Sequence, residues 1–132
     1  MNTPELQKLI NTTTQFRKLI EEKKNILAAK SPKFEYFPKN CCGVTSNLLA
    51  LYLEKYSFSG FIIVNGEKDG LPHSWLQKDT LIIDITADQF KDCDEEIIVT
   101  TDDRWHKTFT QRESHLPYRN KFTPLLNLLI TK

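Results

Sequence analysis

Three residues in the middle of the chain, Cys42, His73 and Asp84, are of the types that together perform thiol chemistry. A cysteine thiol becomes a nucleophile when it ionises, and a nearby histidine can take up and later return its proton. A carboxylate can orient the imidazole and stabilise its charged form. These residues can act together only if the elements that carry them converge in the fold.

Cys42 precedes Gly43 at the predicted start of a helix. The partial positive charge and free N–H groups of a helix N-terminus favour a thiolate there. Cys41 lies one residue further out and would point elsewhere, so only one of the two can face a given cleft; the following glycine favours Cys42. An inert, buried cysteine is the alternative interpretation, and Cys93, in an acidic loop, is taken as incidental.

His73 and Asp84 lie on two consecutive predicted strands that can form a hairpin with Lys78-Asp79 at its tip. In that register His73 is directly opposite Asp84, with Cβ atoms about 5 Å apart, and Trp75 shares their face of the sheet. Asp84 interrupts an apolar run, where an ionisable group is costly unless it is paired. His73 is the nearest partner by register, although both residues could instead be purely structural.

The elements that must position these residues follow from the hydrophobic pattern. Steps of three and four residues predict one long helix from 3 to about 29, and a second, expected to be largely buried, from 43 to about 56. Strands are predicted at 61–64, 73–77, 81–86 and 96–101, and a short helix at 123–130. Strands so close in sequence pair antiparallel, which predicts a single α+β domain over 1–132, with N-terminal helices packed on an antiparallel sheet.

Composition argues against several classes of function. The 132 residues include 18 basic and 17 acidic ones, and a net charge of +1 gives no reason to expect nucleic acid or an anionic membrane as partner. No apolar run approaches the roughly 20 residues that span a bilayer. The polar start lacks the layout of a signal peptide, and three cysteines suit a reducing compartment, so we expect a cytoplasmic protein. Without a CxxC pair, and with three scattered histidines, no metal site or cofactor is expected.

Three motifs together resemble the papain/transglutaminase-like cysteine fold: Cys42-Gly43, His73-Ser74-Trp75-Leu76 and Ile83-Asp84-Ile85-Thr86. Transglutaminase-like proteins typically show a helix-opening cysteine, a "His-Ala-Trp" strand and then a strand with "Asp-Pro-Thr"; here Ser74 replaces the alanine and Ile85 the proline. The stretch 82–90, with Phe37-Pro38 before the cysteine, is also similar to small, mostly uncharacterised bacterial proteins of this fold. The resemblance covers roughly residues 36–110.

The resemblance implies a catalytic core over about 36–110, with Cys42, His73 and Asp84 as its triad. It implies a thiol-dependent hydrolase acting on an amide bond, as a peptidase, an amidase or a glutamine deamidase. Two alternatives stay open, because this fold hosts many activities: an acyl or amine transferase of the transglutaminase type, and a non-catalytic binding protein that kept the fold. A peptide or protein substrate is the expected partner, and the oligomeric state is undetermined.

An oxyanion hole for such chemistry needs two donors. The backbone N–H of Cys42 is the first expected donor. Asn40 and Gln89 are both candidates for the second, although Asn40 would serve equally well as a turn residue and Gln89 as a solvated loop residue. Trp75 either lines the cleft or fills the core.

Overall fold

The computed structural model describes residues 1–131 and shows helices layered on a five-stranded antiparallel sheet. The helices are α1 (Thr3–Glu22), α2 (Lys24–Lys30), α3 (Cys42–Glu54) and α4 (Arg119–Ile130). The strands are β1 (Ile62–Lys68), β2 (Leu71–Lys78), β3 (Leu81–Asp84), β4 (Ile98–Thr100) and β5 (Thr110–His115). They lie in the order β4-β3-β2-β1-β5. The predicted α+β class is confirmed.

The main core lies between the helices and one face of the sheet. All four helices contribute buried side chains to it, and the sheet contributes alternate residues of β1, β2 and β3: Ile63, Leu76 and Ile83. Helix α3 is buried from Thr45 to Leu53, as its apolar composition predicts. No helix within residues 1–131 has the length and apolar character needed to cross a bilayer.

The long helix predicted over residues 3–29 is in fact two helices. Lys23 leaves the helical conformation, with φ −105° and ψ 16°, and α2 starts at the next residue. The interruption falls in a run of four charged residues, 21–24, which contains no apolar side chain. After it, Leu27 is fully buried while Ile26 is 51% exposed.

The register of the β2–β3 hairpin differs from the predicted one by two residues. Lys78 pairs with Leu81, so the two-residue turn is Asp79-Thr80 and not Lys78-Asp79. Asp79 has a φ of 54°, a left-handed conformation that aspartate tolerates better than most residues. Because side chains alternate with a period of two, a shift of two residues leaves every side chain on its predicted face.

Several other element boundaries also differ from the prediction. β1 continues past residue 64 to Lys68, β3 and β4 are shorter than predicted, and α4 begins at Arg119 rather than at residue 123. β5 was not predicted at all. Its sequence is entirely polar and its residues are exposed apart from the half-buried His115, so it lacks the apolar alternation that marks a strand. It forms an edge of the sheet, where polar residues are common.

The opposite face of the sheet carries a second, smaller cluster of buried residues: Val64, Trp75, Ile82 and Phe109. Phe90 and Trp105, from the segments that follow β3 and β4, pack against it. Gly66 of β1 makes this packing possible, because a Cβ atom there would lie 2.9 Å from the Cβ of Phe109. This face, covered by chain segments instead of helices, holds the candidate site.

Arg17 connects α1 to the segment that follows β3. Its side chain is buried, and its Nη1 donates hydrogen bonds to the carbonyl of Ile85 at 2.7 Å and to that of Glu96 at 3.0 Å. Both terminal nitrogens also contact the Asp88 carboxylate, at 2.9 and 2.8 Å. The first helix thus fixes the backbone that leads from Asp84 to Gln89.

Candidate active site

His73 and Asp84 meet on the face of the sheet that carries the smaller cluster. Continuing the observed register places Asp84 across from Trp75, so His73 and Asp84 are diagonal neighbours and not directly opposed as predicted. Diagonal pairs still lie within reach of long side chains. Nε2 of His73 is 2.6 Å from Oδ2 of Asp84, and both residues are almost completely buried.

The Asp84 carboxylate is held in place by the start of the following loop. Its Oδ1 accepts a hydrogen bond from the backbone N–H of Thr86 at 3.0 Å. Burial alone would raise the pKa of Asp84, but the charge of His73 and hydrogen bonds from His106 and His73 hold that pKa well below its usual range. Asp84 is therefore a fixed, buried anion.

Four aromatic rings enclose the imidazole of His73. Their centroids lie 5.0 to 5.9 Å from its own and belong to Phe90, Phe109, Trp75 and Trp105. Burial alone would lower the pKa of His73, but the charge and hydrogen bond of Asp84, with a further contribution from Cys42, raise it to about 9. In such low-dielectric surroundings an ion pair is stronger than it is in water.

Cys42 is the first residue of α3 and lies against β2 where β3 has ended. Because β3 stops at Asp84, this part of the β2 edge is open, and the thiol lies near the imidazole of His73 and near Ser74. Burial would raise the pKa of Cys42, but the hydrogen bond and charge of His73 and the hydrogen bonds of Ser74 lower it. The structure thus brings Cys42 close to His73, which in turn binds Asp84.

In the other two cysteines the pKa of the thiol is raised and not lowered. Cys41 is buried in the main core, and this burial raises the pKa of its thiol to about 11. Cys93 is half-buried, and burial together with nearby carboxylates, Asp84 among them, raises its pKa as well. The doublet Cys41-Cys42 is thereby resolved, because only Cys42 combines partial exposure with a lowered pKa.

A cleft of about 610 Å³ opens beside Cys42. Asn40 and Gln89, the two predicted oxyanion donors, both line it. The other lining residues come from the segment before α3, the start of α3, β2 and the segment after β3: Lys33, Lys39, Cys41, Gly43, Val44, Leu71, Pro72 and Phe90. The Gln89 side-chain nitrogen lies 3.3 Å from Nδ1 of His73 and donates to the carbonyl of Thr86 at 3.0 Å. Gln89 thus contacts the catalytic candidates directly, whereas Asn40 is an exposed residue with a φ of 65°.

Trp75 does not line this cleft. It is 1% exposed and belongs to the smaller cluster behind His73. This burial supports the interpretation that it fills the core.

His106 is a site residue that the sequence did not indicate. It is 1% exposed, follows Trp105 in a short 3₁₀ turn, and places Nε2 at 2.7 Å from Oδ2 of Asp84. Its motif context offered no signal, because it comes from an irregular loop far from Asp84 in sequence. Only a search for a second hydrogen-bond partner of the buried Asp84 carboxylate could have pointed to His106.

The expectation that the histidines remain scattered was wrong, since His73 and His106 converge on Asp84. Their ligand-type atoms lie within 4.8 Å of one another. The two N···O separations of 2.6 and 2.7 Å, however, are hydrogen-bond distances. Ligands around one tetrahedral zinc, each at about 2.0 Å from the metal, would be spread about 3.3 Å apart. The geometry is that of hydrogen bonds to a shared acceptor.

No family model, curated protein or solved structure matches this chain. The function of the chain is therefore inferred from the geometry of the site itself.

Proposed function

We propose that this protein is a thiol-dependent hydrolase that cleaves an amide bond with Cys42 as nucleophile, His73 as general base and acid, and Asp84 as the residue that orients His73. The observation that supports this proposal is the buried imidazole of His73, which binds the buried Asp84 carboxylate and also lies near the half-buried thiol of Cys42. A thiol, a base and an orienting group in hydrogen-bond reach of one another are the signature of an activated nucleophile.

In the first half of the reaction, the Cys42 thiolate attacks the carbonyl carbon of the substrate amide and forms a carbon–sulfur bond. The imidazolium of His73 gives its Nδ1 proton to the leaving nitrogen as the carbon–nitrogen bond breaks. The products are an amine and a thioester on Cys42. Asp84 keeps Nδ1 directed toward the thiol by accepting a hydrogen bond from Nε2.

In the second half, water attacks the thioester carbon. His73, now neutral, takes a proton from the water at Nδ1 and returns it to the sulfur as the carbon–sulfur bond breaks. A carboxylic acid leaves and the thiol is regenerated. The charge that builds up on His73 in this step is stabilised by the buried carboxylate of Asp84.

Both tetrahedral intermediates carry a negative charge on the former carbonyl oxygen. As the first residue of α3, Cys42 has a backbone N–H without an acceptor inside the helix. That group is the first donor of the proposed oxyanion hole, and the side-chain amide of Gln89 is the second. The amide nitrogen lies 3.3 Å from Nδ1 of His73, and when Nδ1 carries the imidazolium proton the amide is free to face the substrate oxygen.

A papain/transglutaminase-like fold is part of the proposal. Its support is the combination of a cysteine at the start of a buried helix with a histidine and an aspartate on two adjacent antiparallel strands. The same elements, in the same order along the chain, carry the motifs that suggested the resemblance.

The test compares the rates at which the three cysteines are alkylated at pH 6. Brief treatment with iodoacetamide at pH 6, followed by peptide mass spectrometry, should place the label on Cys42 at least tenfold faster than on Cys41 or Cys93. The reason is that a thiolate, and not a thiol, is the reacting species. Equal labelling of the three thiols, or labelling chiefly at Cys41, would remove the basis of the proposal.

Turnover is tested with the same protein and a matched pair of variants. Fluorogenic peptide amides should release their reporter, or glutamine-containing peptides should release ammonia, with the wild type and with Cys41→Ser but not with Cys42→Ser. Alkylation of Cys42 without any turnover of either substrate class would favour a transferase or a binding protein that retains a reactive thiol.

A further inference from the structure

We propose that His106 is a fourth member of this relay, a positioning residue that holds the Asp84 carboxylate and shares its negative charge with His73. This inference rests on the proposed function, because it assigns a further residue to the same reaction. The resemblance that suggested the triad includes no such residue, and the geometry around Asp84 points to it.

One carboxylate oxygen receives both imidazoles. Oδ2 of Asp84 lies 2.6 Å from Nε2 of His73 and 2.7 Å from Nε2 of His106, while Oδ1 accepts the N–H of Thr86 at 3.0 Å. A carboxylate oxygen has two lone pairs, so the two histidines together fill Oδ2. Asp84 is thereby fixed from three directions.

The two histidines differ at their other ring nitrogen. Nδ1 of His73 faces the thiol of Cys42 and the side chain of Gln89, so it can exchange a proton with the site. Nδ1 of His106 is buried and has no hydrogen-bond partner among residues 1–131. A neutral imidazole has one N–H, and in His106 that hydrogen is on Nε2, where Asp84 accepts it. His73 is the proton carrier, and His106 is a donor to Asp84 with no hydrogen-bond partner at its other ring nitrogen among residues 1–131.

This donor changes the electrostatics of the relay formed by Cys42, His73 and Asp84. The hydrogen bond from His106 disperses part of the Asp84 charge that would otherwise stabilise the His73 imidazolium. Charge-assisted hydrogen bonds to a buried carboxylate are among the strong ones. Without this donor, Asp84 would attract the proton on His73 more strongly. His106 therefore sets how readily His73 gives up its proton to a leaving group.

The remaining charged groups near His106 do not replace it at Asp84. Arg112 donates to the backbone carbonyl of His106 at 2.8 Å, and its guanidinium lies 5.6 Å from the Trp75 ring centroid. Lys68 lies over Trp105, whose indole N–H donates to Asp92 at 3.1 Å. These groups approach the aromatic rings and the backbone around His106.

A pure packing role is the competing explanation, because the ring of His106 lies 4.8 Å from both Trp75 and Trp105. Two variants separate the explanations. His106→Phe keeps an aromatic ring and removes the donor, whereas His106→Gln removes the ring and keeps a side-chain N–H in a similar position. If His106 only packs against its neighbours, His106→Gln should differ more from the wild type than His106→Phe does. If His106 acts as a donor, His106→Phe should differ more.

The readout is the titration of His73, followed by NMR on protein labelled with ¹⁵N-histidine. In His106→Phe the pH at which His73 loses its proton should rise by about half a unit, which is about threefold in the dissociation constant. In His106→Gln it should stay near the wild-type value. The same spectra of the wild type should show His106 as the Nε2–H tautomer.

An unchanged titration of His73 in both variants, or a downward change in His106→Phe, would overturn the inference. If the Phe variant does not fold, His106→Asn replaces it, since its shorter amide cannot reach Asp84; a wild-type titration in that variant would have the same meaning. If Cys42 of the wild type reacts no faster than the other two cysteines, the proposed function itself is refuted. If Cys42 is reactive but the titration of His73 is unchanged by the substitutions of His106, this inference alone is refuted.

Discussion

Replacing Asp84 by asparagine removes one charge from the centre of the relay while nearly preserving its shape. The carboxylate is completely buried and is the main reason that the pKa of His73 rises from 6.5 to about 9, against a burial that would lower it. Without that charge, burial prevails and His73 is neutral at pH 6. Cys42 then loses the cation that stabilises its thiolate.

The size of the effect can be worked out at pH 6. A thiol with the ordinary pKa of 9.0 is ionised to about one part in a thousand at that pH. The lowered pKa of Cys42 raises the ionised fraction by at most this factor, and the lower nucleophilicity of a less basic thiolate offsets part of the gain. We therefore expect Asp84→Asn to slow the alkylation of Cys42 at pH 6 on the order of 10².

The same substitution changes stability in a defined pH window. A histidine whose pKa is higher in the folded state contributes stability that is complete below pH 6.5 and disappears as the pH rises through about 9. At about 1.4 kcal/mol for each pKa unit, that contribution is at most about 3.5 kcal/mol. The free energy of unfolding of Asp84→Asn should thus differ most from that of the wild type near pH 6, and least above pH 9.

The assay measures both quantities on one sample, with iodoacetamide labelling of Cys42 and urea unfolding at pH 6 and at pH 9.5. Asp88→Asn is the matched control, since Asp88 is a carboxylate of the same segment that pairs with Arg17 and not with His73. It should lose stability but retain the reactivity of Cys42. A folded Asp84→Asn protein that alkylates as fast as the wild type at pH 6 would refute the reasoning.

Two further substitutions test other parts of the site. Gln89→Leu should leave the melting temperature and the iodoacetamide reactivity of Cys42 close to wild type while lowering kcat on the turnover substrate by about 10²; an unchanged kcat would exclude Gln89 from the oxyanion hole. Arg17→Met should lower the free energy of unfolding by about 3 to 5 kcal/mol, because it leaves the Asp88 charge without its partner. The double variant Arg17→Met with Asp88→Asn should cost less in a urea titration than Arg17→Met alone, and a cost equal to or above that of the single variant would contradict this account.

The sequence by itself was sufficient where local chemistry decides. The helix that starts at Cys42, the strands that carry His73 and Asp84, and the common face of these two residues all follow from hydrophobic periodicity. Because side chains alternate with a period of two, His73 and Asp84 still share a face and meet although the predicted register was wrong by two residues. The ranking of Cys42 above Cys41 depended on the following glycine, and the tertiary structure supports it for a different reason, the burial of Cys41 in the core.

Only the tertiary structure could decide which distant groups surround the buried charge. His106 reaches Asp84 from an irregular loop, and Arg17 reaches the segment after β3 from the first helix; no periodicity marks either residue. The all-polar β5 has no apolar pattern because it is an exposed edge strand. Hydrophobic spacing reports which face of an element is buried, whereas the partners of a buried charge are set by how the elements pack, and that information is not local.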